Sequence, residues 1–315
     1  MTKLSSIGVN VETFPCAVCS ASDFTLLATH DRHLLGLHTV GCRQCGLVQT
    51  NPRPTPASLG IFYERHYRAF YQQTVTPDDA YIATHRKDVR LEYTVRFLAA
   101  ALHLGDSSAL LDYGCGEGSL FVALRRSGFK GRLVGVEPNL EFGRFAAERG
   151  AAEVHPTLPP VAQLDAITIN HVLEHIHDPT SLLQSLSKLL APDGRLYIDV
   201  PDAEEYRSAS DLHIAHILHF TERTLRRLVL AAGYTIELCE KHRPPHHPAS
   251  IRLVATPSAV VEKLATSPST EATAWQALRT LERSGWKWNL RRRLARIFPL
   301  AGKFYRWARG MTARR

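Results

Sequence analysis

The stretch LLDYGCGEGSL, residues 110–120, constrains this 315-residue chain more than any other. A short apolar run stops at three glycines, Gly114, Gly116 and Gly118, and EGSLFVALRRSG follows at once with helical spacing. A strand that turns directly into a helix needs backbone at positive φ. Glycine adopts it freely, and its missing Cβ lets a ligand approach the main chain. The helix start adds N–H groups without intrahelical partners. Nineteen residues after Gly118, RLVGVE places Glu137 at the end of the next expected strand. A carboxylate there can accept both hydroxyls of a ribose. The competing role for Glu137 is a cap on the helix NLEFGRFAAERG, for which Asn139 is also a cap and Gly150 the stop.

The alternation continues. AEV, LDAITIN and GRLYIDV read as further strands, DPTSLLQSLSKLLAPDG and TERTLRRLVLAAG as helices, the latter capped by Thr221. YTIELCEKH and IRLVAT form a closing pair of strands. Strands alternating with helices of this length predict an α/β fold, a parallel sheet with helices on both faces. The chain divides into a zinc-binding module (1–56), a helical connector (57–104) with its longer helix from about Tyr81 to Leu104, a nucleotide-binding α/β domain (105–256), a linker or helix (257–282) and a basic tail (283–315). The proline-rich NPRPTP reads as a turn or linker.

Cys16, Cys19, Cys42 and Cys45 form two CxxC pairs separated by 22 residues. Four thiolates at this spacing can wrap one tetrahedral zinc ion, a closed structural site. A redox CxxC would stand beside a βαβ pattern, which is missing from this part of the sequence. His30, His33 and His38 lie between the pairs and read as surface residues. Cys115 and Cys239 read as buried small residues rather than nucleophiles.

With Asp112 two places before the first glycine, the pattern becomes DxGxGxG. It resembles motif I of the class I S-adenosylmethionine (SAM)-dependent methyltransferases, and the resemblance runs in order over roughly 108–256. LDAITINHVLEHIHDP resembles the family's strand-four motif, GRLYIDVPD its strand-five segment, and HFTERTLRRLVLAAGY the helix that follows. The resemblance implies a Rossmann-like sheet and SAM held by Asp112, Gly114, Cys115, Gly116, Gly118, Glu137, Pro138, Asn170 and His171. Glu137 would take the ribose, Pro138 the adenine side, and Asn170 with His171 the amino-acid end; Thr157 and Leu158 are further adenine neighbours. CGLVQTNPRP followed by YERHY resembles the zinc module of some bacterial sugar- and glycan-associated methyltransferases, over about 14–68. That implies a sugar, sugar-nucleotide or glycan- or lipid-linked acceptor.

An alcohol or amine acceptor must lose a proton, and histidine suits a general base near neutral pH. His171 and His175 are the first candidates, with His213, His216 and His219 behind them at helical spacing in DLHIAHILHF, a pattern that also allows a metal site or a polar helix face. Tyr63 and Tyr67 are candidate acceptor-site residues. HVLEH also spells a zinc-peptidase HxxEH, but that needs both histidines on one helix. It directly follows an apolar strand here.

The net charge of +8 conceals a division: residues 283–315 hold eleven Lys or Arg and no acidic residue, so the remainder is mildly acidic. All four tryptophans lie from Trp275 onward. A basic segment interleaved with aromatics suits an anionic membrane surface. RNA contact, as in an RNA methyltransferase, and docking on its own domain or on a homodimer partner are the alternatives. A non-catalytic SAM- and zinc-binding subunit is the non-enzyme reading. The start lacks an apolar leader and no window approaches a spanning helix, so the expected location is cytoplasmic, with the tail at the inner membrane face.

Overall fold

The computed structural model describes residues 9–32, 36–62, 77–78, 82, 87–160, 163–206, 211–258 and 275. Tyr63, Tyr67, His33 and the basic tail 283–315 lie outside the described residues.

The strands are β1 (Val11–Glu12), β2 (Phe24–Ala28), β3 (Thr39–Cys42), β4 (Val48–Thr50), β5 (Arg53–Pro54), β6 (Ala109–Tyr113), β7 (Arg132–Val136), β8 (Glu153–His155), β9 (Leu164–Asn170), β10 (Leu190–Pro201), β11 (Leu218–His219), β12 (Tyr234–His242) and β13 (Ser250–Pro257). The helices are α1 (Pro56–Phe62), α2 (Lys87–Ala101), α3 (Ser119–Arg126), α4 (Leu140–Gly150), α5 (Pro179–Ser187) and α6 (Glu222–Ala231).

Seven strands form the main sheet in the order β12-β13-β10-β9-β6-β7-β8. β10, β9, β6, β7 and β8 pair in parallel, and β13 is antiparallel to both neighbours. Central strands of a sheet covered on both faces must be apolar along their length. β9 and β6 satisfy this with Leu164, Ala166, Ile167, Ile169, Leu110 and Leu111 fully buried. The helices bury one stripe each, Leu120, Phe121 and Leu124 on α3, and Leu225, Leu228 and Val229 on α6.

The helix ends follow local chemistry. Asn139 Oδ1 accepts from the Glu141 and Phe142 N–H groups, so Asn139 caps α4. Thr221 and Thr224 close a reciprocal capping box on α6, satisfying two otherwise orphaned donors. Gly150 is the last residue of α4 rather than its stop; Ala151 adopts the left-handed conformation instead. Gly150 is needed for packing, because a Cβ there would lie 2.4 Å from Phe121 Cβ.

The cysteine-bearing segment is not a detached module. β2, β3 and β4 form a small antiparallel sheet that β11, from the larger domain, completes by pairing with β4. NPRPTP is not a free linker either: Arg53 and Pro54 form β5 against β1, and Arg53 is buried. Its Nη2 donates to the His177 carbonyl at 3.0 Å and its guanidinium lies 4.6 Å over the Phe14 ring. Trp275 Nε1 donates to the Gly46 carbonyl and its ring packs on Gly41. Among the described residues no helix is long and apolar enough to cross a membrane.

Candidate active site

The parallel strands end together, and their C-terminal edge gathers the polar residues, as open α/β sheets require. Gly114, Gly116 and Gly118 have φ of 80°, 56° and 74°. They are not equivalent. A Cβ at Gly114 would meet Val172 Cγ2 at 2.5 Å, and one at Gly118 would meet Ala146 Cα at 2.8 Å. These two let the loop pack on the protein. At Gly116 nothing lies within 4 Å, so the bare main chain faces open space.

Glu137 stands opposite. Its Oε2 accepts from Gly116 N at 3.1 Å and its Oε1 from Asn139 N at 3.0 Å. Asn139 rather than Glu137 caps α4, and the Glu137 carboxylate is tied to the glycine turn. Pro138 is exposed next to it, and Cys115 is buried beneath the loop. Burial, reinforced by the nearby Asp112 and Glu137 charges, pushes the Cys115 thiol far above its usual range, which leaves it inert at neutral pH. Cys239 is also buried. Leu158 packs on the core beyond β8, and Thr157 is exposed beside it.

Asp112 is buried at the end of β6. It accepts from Thr168 Oγ1 at 2.7 Å and Asn170 Nδ2 at 3.3 Å, which ties β6 to β9. Burial raises its carboxyl to about 6 although both hydrogen bonds favour the charged form. Asp112, the glycines, Glu137, Asn170 and His171 therefore share one edge.

Beyond Asn170 the chain turns sharply. His171 has φ 53°, and its N–H donates to the Asp199 carbonyl at 2.8 Å. Its Nε2 is buried, with no hydrogen-bond partner and 3.7 Å from Asp199 Oδ1. Residues Leu173–His175 form one 3-10 turn. This rules out the peptidase geometry, since no helix carries both histidines. The His175 ring bonds to the Ala215 carbonyl at 2.7 Å through Nδ1, which must therefore carry the proton and leaves the lone pair on Nε2.

The helix expected for His213, His216 and His219 is absent. The segment ends in β11, because pairing with β4 extends the backbone. The rings still stand in a row, His213–His216 centroids 3.7 Å apart and His216–His219 6.5 Å. They are not a solvated face: His213 and His219 are buried. Burial, with the neighbouring imidazoles, holds His216 well below the usual range, and burial alone takes His219 to about 3. Tyr206 Oη and His219 Nδ1 are 2.9 Å apart.

These elements enclose a cavity of about 500 Å³. His171, Glu174 and His175 line it from the turn after β9, Glu205 from the segment after β10, and His213 and His216 from the approach to β11. Arg243 and His247 come from beyond β12, and Arg32 from the cysteine-bearing segment. Sequence reasoning does not single out Asp199, His242 and His247. His242 Nε2 lies 3.3 Å from Asp199 Oδ1, and the His171 and His247 ring centroids are 4.3 Å apart. Burial opposes ionisation of Asp199, but the His242 hydrogen bond and the nearby imidazoles outweigh it and lower its range. Their signal is faint: a carboxylate inside the apolar run LYIDVP, which a core strand does not tolerate without a polar partner.

The four cysteines converge as expected. Cys16 Sγ lies 3.4 Å from Cys45 Sγ and Cys19 Sγ 3.5 Å from Cys42 Sγ, with all four sulfurs within 4.8 Å. Four Zn–S bonds of about 2.3 Å place sulfurs about 3.8 Å apart, so the cage fits zinc. His30 and His38 do not join it.

Residues 83–238 match a family model described as a methyltransferase domain. The ubiquinone biosynthesis O-methyltransferase of Xanthomonas oryzae pv. oryzae is 30% identical over 119 residues, 35% of this chain and 48% of that protein. C-methyltransferase NovU of Streptomyces niveus is 26% identical over 237 residues, 72% of this chain and 52% of that protein. The chain spans about half the length of the curated relatives it matches. The magnesium protoporphyrin IX methyltransferase of Synechocystis PCC 6803 with bound S-adenosylhomocysteine superposes with a TM-score of 0.46 at 14% identity, over 63% of this chain and 97% of that one. The α/β domain itself has a Rossmann-like architecture, with the parallel strands β10, β9, β6, β7 and β8 at the heart of a seven-stranded sheet. More particularly, residues 83–238 are similar to a methyltransferase domain.

Proposed function

We propose that this protein methylates a small acceptor held in the histidine-lined cavity, a sugar, sugar nucleotide or glycan- or lipid-linked saccharide. The observation that carries the reading is the open main chain at Gly116 facing Glu137. A cradle with no Cβ beside a carboxylate fits an adenosyl group. When bound, S-adenosylmethionine supplies an electrophilic methyl on a positively charged sulfur, and its loss to the acceptor leaves S-adenosylhomocysteine.

The chain's own residues do the rest. Gly114, Cys115, Gly116 and Gly118 shape the loop, Glu137 takes the ribose hydroxyls and Pro138 covers the adenine side. Asp112 holds Asn170 at the amino-acid end. His171 or His175 is the base that receives the acceptor's proton, and both line the cavity. His175, fixed by the Ala215 carbonyl, points its lone pair toward the same cavity. Positioning of this kind supplies much of a displacement's rate. Zinc closes the Cys16, Cys19, Cys42 and Cys45 cage, which lies in the small sheet that β11 completes. The basic tail 283–315 holds the protein at the inner face of an anionic membrane; equal flotation on liposomes with and without it would reject this, and salt-sensitive RNA binding would replace it.

Calorimetry with S-adenosylhomocysteine tests the central claim. Wild type binds, and Glu137→Ala loses at least about tenfold, the 1.4 kcal/mol expected when hydrogen bonds to a charged group disappear. A labelled-methyl screen over sugar nucleotides then identifies the acceptor. Failure of wild type to bind the nucleoside overturns the reading.

A further inference from the structure

Glu174 is the anomaly of the cavity wall. It is 1% exposed, and neither carboxylate oxygen has a hydrogen-bond partner. Buried carboxylates are normally paired, protonated or bound to a metal, because leaving one without partners costs several kcal/mol. Its surroundings are imidazoles. Glu174 Oε1 lies 3.5 Å from His171 Nδ1, 3.8 Å from His216 Nε2 and 4.0 Å from His175 Nε2, and one donor atom from each of Glu174, His175 and His216 falls within 4.8 Å of the others.

We propose that Glu174, His175 and His216 bind a divalent transition-metal ion of the zinc class, separate from the cysteine cage, with an open position toward the cavity. Three features support this. Bonds of about 2.0–2.1 Å place tetrahedral donors about 3.4 Å apart, so the carboxylate needs to close on each imidazole by less than about an ångström. Two imidazoles and one carboxylate suit zinc and its first-row neighbours rather than magnesium or calcium. The second shell is already built. His175 donates Nδ1–H to the Ala215 carbonyl, the orientation that metal-binding histidines use. Ile217 N donates to the Glu174 carbonyl at 3.0 Å, so the segments on either side of His216 are both tied to the 3-10 turn.

Three protein ligands leave room for a fourth from the cavity. That ligand is a hydroxyl oxygen of the acceptor, which the cation polarises while the hydroxyl proton passes to His171. This role rests on the acceptor cavity proposed above; the binding itself does not.

Cobalt(II) separates the two metal sites. A four-thiolate cage gives intense thiolate-to-cobalt charge transfer in the near ultraviolet, whereas a two-imidazole, one-carboxylate site gives only weaker visible bands. The 315-residue chain should take two equivalents of Co2+. Glu174→Gln and His216→Ala should each keep the thiolate band and lose the second equivalent, with affinity at least about tenfold lower. The retained thiolate band and unchanged binding of S-adenosylhomocysteine report that a variant is folded. If one variant fails that check, the other decides. A single equivalent in wild type, or a second one retained in a folded variant, overturns the metal site. Wild type that binds the nucleoside but only one Co2+ refutes this inference and leaves the methyltransferase reading standing; two equivalents without nucleoside binding does the reverse.

Discussion

Alanine at Gly116 and at Gly118 should separate binding from folding. Both positions have positive φ, 56° and 74°, where an L-residue costs about 1–2 kcal/mol. At Gly116 that is the whole cost to the fold, because a Cβ meets nothing within 4 Å. At Gly118 the same Cβ would lie 2.8 Å from Ala146 Cα and 3.0 Å from Ala146 O. Those are backbone atoms of α4, which cannot rotate away, and overpacking adds about 1–3 kcal/mol. The expected losses are therefore about 1–2 kcal/mol for Gly116→Ala and about 2–5 kcal/mol for Gly118→Ala. Each kcal/mol lowers the melting temperature by about 2–4 °C in a domain this large. Ligand binding should reverse the order. The Gly116 methyl projects into the space assigned to the nucleoside, so affinity for S-adenosylhomocysteine falls at least about tenfold, or 1.4 kcal/mol. Folded Gly118→Ala should lose less. Thermal melts and calorimetry on both variants decide it. Wild-type affinity in Gly116→Ala, or a stability loss there larger than in Gly118→Ala, would refute the division of labour among these glycines.

Three further outcomes follow from buried groups. Arg53→Ala should cost about 2–4 kcal/mol in urea unfolding, since it empties a buried site and frees the His177 carbonyl; an unchanged midpoint would show that β5 does not anchor the two sheets. Asp112 has a folded-state value of about 6 against 3.8 for an unperturbed aspartate. A raised carboxyl means that the native state holds the proton more tightly, so its stabilising effect is full below about pH 4 and is lost as pH rises through 6. Between pH 4.5 and 7.5 wild type should lose about 2 kcal/mol relative to Asp112→Asn, measured as the difference in their urea midpoints. Chelator treatment should release zinc from the cysteine cage and lower the melting temperature of wild type by more than that of Cys42→Ser; equal shifts in the two proteins would show that the cage holds no stabilising ion.

The parts legible in the sequence are those whose cause is local. DYGCGEGS announces its turn because glycine adopts those φ values at lower cost than other residues, and Asn139 and Thr221 announce their helices because a cap bonds within three residues. The CxxC pairs are similar, since each knuckle is four residues long. What stays hidden depends on pairing between distant segments. His213, His216 and His219 show helical spacing, yet the backbone is extended where β11 pairs with β4, about 170 residues earlier in the chain. No periodicity encodes that register. The same pairing brings His216 to Glu174 and places Arg32 on the cavity wall. The histidine-lined cavity is thus built jointly by the α/β domain and the cysteine-bearing segment, whereas the glycine turn and Glu137 belong to the α/β domain alone. This division has a consequence for chemistry. On the proposed function, the donor end can remain constant while the acceptor wall varies with the small sheet, so the motif-bearing residues speak to the methyl donor and the acceptor has to be read from three-dimensional contacts at Arg32, Glu174, His216 and Arg243.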